Sequence, residues 1–123
     1  MPHGWVGSDY IRSLLDFFAY DRGEDDALVL GAGVPADWVR ASGGVSVRGL
    51  RTRWGRLDLS IREDAEGLRV SIAGGLRVPP GGFALRPPLA GVPRRVTVGG
   101  KAVKFSGTEL VVRKAPAEVL FSR

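Results

Sequence analysis

The chain has 123 residues, 44% of them hydrophobic and 25% charged, with a formal net charge of +5 carried mostly by arginine. That length suits one domain with a core that needs no staples, and the lack of cysteine excludes disulfides and thiolate chemistry. No apolar run approaches the roughly 20 residues of a membrane-spanning helix.

The opening MPHGWVGSDY lacks the basic-then-apolar order of a signal peptide. It predicts a cytoplasmic chain if Met1 is the true start, or otherwise a segment whose targeting signal lies elsewhere. Ser8 is a good helix N-cap and Asp9 suits a first turn, while Ile11, Leu14, Leu15 and Phe18 recur at helical spacing. A helix is therefore expected from about Asp9 to Tyr20. With Tyr10, Phe17 and Tyr20 added, its apolar groups spread beyond one stripe, so a single sheet would not cover it. Self-association through Leu14, Phe17 and Phe18, or a partner domain, is the expected cover.

Beyond an acidic turn at Glu24-Asp25-Asp26, Ala27-Leu28-Val29-Leu30 reads as a strand. Pro35 then begins a one-turn helix to Arg40, with Trp38 and Val39 expected to point inward. Val45-Ser46-Val47 is another short strand. The clearest pattern in the chain follows. Leu57, Leu59 and Ile61 alternate with polar residues, and so do Leu68, Val70 and Ile72. Period two on both sides of the polar link 63–67 predicts an antiparallel hairpin with one buried face, Gly67 supplying the positive φ that such a loop needs.

Val78-Pro79-Pro80-Gly81-Gly82 cannot be a central strand, because proline has no amide donor. Phe83-Ala84-Leu85 resumes strand character until Pro87-Pro88. A second hairpin joins Val96-Thr97-Val98 to Lys101-Ala102-Val103 through Gly99-Gly100, a two-residue turn of the primed type. Residues 109–113 and 117–121 complete the strands. Short strands at such spacing predict a mainly β protein, a two-layer antiparallel β-sandwich of about seven to nine strands with one N-terminal α-helix. The boundary between helical segment and sheets falls near Gly23, dividing the chain into 1–23 and 24–123.

Chemistry-bearing constellations are sparse. Glu24, Asp25, Asp26, Asp64 and Glu66 all fall in turns, where acids serve solvation and chain reversal. One histidine and no cysteine leave no metal-ligand set. There is no nucleophile elbow and no phosphate loop, so no cofactor is expected. Arginines such as Arg48, Arg62, Arg69, Arg86 and Arg95 occupy the polar positions of alternating strands, as on a solvated sheet face. RGLRTRWGR, residues 48–56, sets Trp54 among four arginines. It is the best nucleic-acid candidate, although one aromatic makes a poor stacking platform. Trp38 and Trp54 are also candidates for sugar stacking, as in a carbohydrate-binding module.

His3-Gly4-Trp5 running into a long apolar helix resembles the last helical segment of bacterial α-L-rhamnosidases and related six-hairpin glycosidases. The remainder is similar to the C-terminal β-sandwich of those enzymes, through residues 28–35, the Trp38 turn, Gly49-Leu50, residues 54–57 and the hairpin 96–100. In that family the motif usually continues Ser-Ala-Gly-Pro. Here Val6-Gly7-Ser8-Asp9 follows, so the likeness does not specify rhamnose. The resemblance implies that the acid and base carboxylates belong to earlier helices outside this chain, with no catalytic residue here. It also implies that His3 and Trp5 face a sugar in the whole enzyme, His3 through a hydrogen bond and Trp5 as a stacking face. The implied function is a non-catalytic accessory domain supporting a catalytic helical toroid, its partner.

Overall fold

The computed structural model describes residues 18–34, 36–40, 44–89, 93–105 and 108–122. Within them the protein is mainly β, with two sheets and one short helix. The strands are β1 (Ala19–Arg22), β2 (Ala27–Leu30), β3 (Val45–Thr52), β4 (Gly55–Glu63), β5 (Gly67–Ala73), β6 (Phe83–Leu85), β7 (Arg95–Val98), β8 (Lys101–Val103), β9 (Leu110–Val112) and β10 (Ala117–Ser122); the helix α1 is Ala36–Arg40.

The expected hairpin is β4–β5, with Ile61 opposite Val70 and Leu59 opposite Ile72. It lies inside a six-stranded sheet of order β3-β4-β5-β10-β7-β8, every pair antiparallel. Leu57, Leu59, Ile61, Leu68, Val70 and Ile72 are all buried, as the alternation requires. Each such side chain contributes about 1.5–3 kcal/mol of transfer free energy. Gly67, at φ 144°, ends the β4–β5 loop against β10. A Cβ there would stand 2.1 Å from the Phe121 carbonyl oxygen, so the close approach of β5 and β10 requires glycine. The Gly99-Gly100 turn also forms, both residues having positive φ between β7 and β8.

The second sheet has the order β1-β2-β6-β9. It corrects the expectation of purely antiparallel pairing, because β2 runs parallel to β6, with Val29 opposite Ala84. The long path from Leu30 to Phe83, through β3, β4 and β5 of the other sheet, brings β6 back in the same direction as β2. Inward rows Ala19–Leu30–Leu85–Leu110 and Leu28–Phe83–Val112 join Leu59, Ile61, Val70, Val119 and Phe121 in one apolar cluster shared by both sheets.

Other expectations need correction. Ala19 and Tyr20, assigned to the end of the helix, belong to β1, which pairs with β2 from Ala19 opposite Leu30 to Arg22 opposite Ala27. The helical spacing continues to Phe18, but pairing satisfies the backbone of Val29, which would otherwise lie on an open edge. Residues 9–17 of the expected helix lie outside the described residues, as do Leu14 and Phe17. Phe18 is half-buried against the shared cluster. Gly23 sits in the turn joining β1 to β2. The strand β1 also brings the number to ten among the described residues, above the seven to nine expected. On α1, Val39 is buried but Trp38 is 38% exposed. Successive residues on a helix diverge by about 100°, so one turn cannot point both inward.

Candidate ligand cleft

Among the described residues the sheets end, on one side, in strands with a single neighbour each: β1 pairs with β2, and β3 with β4. Between these two edges lies a cleft of about 500 Å³ lined by Ala19, Tyr20, Asp21, Leu28, Leu50, Arg51, Thr52 and Arg53. Consecutive residues of a strand point to opposite faces. Runs such as 19–21 and 50–53 can line one cleft only if the strand edges themselves form its walls.

Trp54, in the β3–β4 turn, braces the cleft. Its indole Nε1 donates a hydrogen bond of 3.0 Å to Asp21 Oδ1 on β1, and the Arg53 guanidinium lies 4.9 Å from its ring centroid. Arg53 is also 3.8 Å from Asp26, an exposed pair of small energetic weight. Thr52 Oγ1 donates to the Gly55 carbonyl at 2.7 Å and accepts from the Trp54 amide at 3.1 Å, which fixes the turn. Opposite Arg51 in register is Arg56, both exposed. Among the described residues Arg51 has no acidic partner.

On the outward face of the four-stranded sheet the charges are paired instead. Arg22 on β1 donates to Glu109 Oε1 at 2.7 Å and to Asp25 Oδ2 at 2.8 Å, and Arg86 donates to Glu109 Oε1 at 3.1 Å. The hydrogen bond from Arg22, joined by that from Arg86, holds the Glu109 carboxyl below the usual carboxylate range against a smaller opposing effect of burial. Arg22 likewise depresses Asp25, and its own pKa is raised by its bonds to Glu109 and then Asp25. Asp64, in the β4–β5 link, is lowered chiefly by the hydrogen bond from Arg69 at 2.7 Å. These turn acids are thus ionic struts.

Of the residues singled out by sequence, Arg51 and Arg53 line the cleft and Trp54 is tied to it through Asp21, whereas Arg48 and Arg56 are not in its lining and Trp38 lies on α1, away from it. His3 and Trp5 lie outside the described residues. Sequence reasoning missed Tyr20, Asp21 and the Arg22–Glu109 pair, because β1 was hidden behind helical spacing. No family model, curated protein or solved structure matches the chain.

Proposed function

We propose that this chain is a non-catalytic accessory module of a rhamnosidase-like glycoside hydrolase, its two sheets stacked as a sandwich that supports a catalytic helical domain. The observation that carries the reading is the outward face of the four-stranded sheet. Ala27, Val29 and Ala84 face away from the shared cluster, yet each is 0% exposed and together they form a cluster of their own. Tyr20 and Val111 flank them at 41% and 43% exposure. The three small residues are already covered within the chain, so the part of this face left for a partner helix is the exposed Tyr20 and Val111. The resemblance of residues 3–5 and of the segment after them to the last toroid helix supports the same partner.

A carbohydrate-binding module is the alternative, and here Trp54 offers little support. One face of its ring carries Arg53, which a sugar stacking there has to displace, and its Nε1 is committed to Asp21 and so not free to donate to a sugar hydroxyl. Trp38 remains the aromatic to test for that reading.

The deciding experiment compares hydrolysis of aryl α-L-rhamnosides by the chain alone and by a polypeptide joining it to a rhamnosidase-like helical domain. Turnover is expected only from the joined protein, and Val111→Asp, at an exposed position of the same face, should shorten the thermal half-life of that activity. Hydrolysis by the chain alone, or no effect of Val111→Asp, overturns the reading. Sedimentation of the chain alone separates a second copy on the same face from a heterologous partner.

A further inference from the structure

The cleft between β1 and β3 has the form of a missing strand. Gly31 N–H donates to the Phe18 carbonyl at 2.7 Å, continuing the β1–β2 ladder by one pair. In an antiparallel ladder, hydrogen-bonded and non-bonded pairs alternate. The pairs Tyr20–Val29 and Arg22–Ala27 are therefore bonded, and the N–H and C=O groups of Ala19 and Asp21 point away from β2, into the cleft. Among the described residues neither backbone has a partner. The cleft floor is apolar, with Leu28 buried and Leu50 half-buried, and the opposite wall brings Arg51 and Arg53, both exposed. Among the described residues the other edges are short or irregular: β8 is three residues long, begins at Lys101 and is followed by Lys104, β9 is also three residues long, and β3 is broken by a bulge between Val47 and Leu50.

We propose that this cleft accepts an extended acidic peptide as an added strand on the free edge of β1. Backbone pairing to Ala19 and Asp21 supplies the register. Alternate apolar side chains then rest on Leu28 and Leu50, and the acidic ones between them reach Arg51 and Arg53. The charge of the wall and the net charge of +5 select an acidic over a basic strand. This inference stands apart from the accessory-module reading, since the edge and the outward sheet face are different surfaces.

The test uses the whole chain and a capped pentapeptide alternating valine and glutamate at millimolar concentration, followed by amide hydrogen exchange. Exchange at Ala19 and Asp21 should slow, while Tyr20 and Arg22, already bonded to β2, should not change. A valine–lysine peptide should bind several-fold more weakly at low salt. The Arg51→Ala, Arg53→Ala double variant should lose affinity several-fold with its far-ultraviolet spectrum unaltered. Unchanged exchange at Ala19 and Asp21 overturns the proposal. So does equal protection by a peptide N-methylated at alternate residues, which cannot pair. Equal protection by an oligogalacturonate of the same charge overturns it as well, because recognition would then be of charge and not of backbone.

Discussion

In the six-stranded sheet, β4, β5 and β10 alternate buried and more open positions, whereas β2 and β6 of the four-stranded sheet are buried at every position. The first sheet has one apolar face and leaves Ser46, Ser60 and Ser71 in a cross-strand row on the other. The second has apolar residues on both faces, its outward side small at Ala27, Val29 and Ala84 and bridged by Arg22 and Glu109. A sheet covered on one side is specified by alternation. One covered on both sides is specified by contiguous apolar runs and needs something above its second face.

The largest effect should come from the inward side that the sheets share. Phe83 is among the largest side chains that are fully buried, in a cluster drawn from both sheets. Phe83→Ala should cost about 3–5 kcal/mol in urea unfolding, a large share of the stability of a domain this size. Because the cluster is common property, tryptophan fluorescence and far-ultraviolet circular dichroism should shift together. Two separate transitions would instead make the sheets independent units.

This contrast explains what could be read from the residues. The β4–β5 and β7–β8 hairpins were legible because both strands and their turn lie within a short stretch, with a period of two and glycine at the reversal. Ala27-Leu28-Val29-Leu30 identified itself as a strand, but an unbroken apolar run names no face and no neighbour. Its parallel partner, Phe83-Ala84-Leu85, lies more than fifty residues away, and nothing local signals that pairing. Strand β1 was lost for a different reason: the spacing from Ile11 to Phe18 extends naturally to Tyr20, and only pairing with β2 overrides it. The site followed the same rule. Trp54 and Arg53 were conspicuous in RGLRTRWGR, whereas Asp21, which holds the indole, is 33 positions away and in another sheet.

Comparing the outward faces directly sharpens the difference. Val29→Thr keeps the shape and places a hydroxyl where the residue is 0% exposed, so about 1–3 kcal/mol should be lost if that hydroxyl finds no acceptor. Ser60→Thr, at the matching outward position of β4, should change stability by no more than about 0.5 kcal/mol. Equal responses in chemical denaturation would mean that the two outward faces are equally open.

A smaller loss than that at Val29 is expected from the bridge over the outward face, and it carries a pH signature. Glu109 accepts from Arg22 and Arg86 and is only 23% exposed in its side chain. Glu109→Gln keeps the shape, removes the charge and should cost about 1–2 kcal/mol, at the lower end for charge-assisted bonds because the pair is partly solvated. Glu109, Asp25 and Asp64 all have folded pKa values below their ordinary ones. A group depressed in this way adds stability above its unfolded pKa and loses that contribution as pH falls toward the folded pKa. The contribution of these groups should therefore be complete and independent of pH near neutrality, and decline below about pH 4. Glu109→Gln should decline less over the same acid interval, the two unfolding curves converging as Glu109 protonates. The Asp25 and Asp64 contributions should persist in the variant, Asp64 lying in the β4–β5 link of the other sheet and pairing with Arg69. If the curves remain parallel into the acid, the Arg22–Glu109 pair adds nothing to the folded state, and the cover over Val29 and Ala84 must come from other groups.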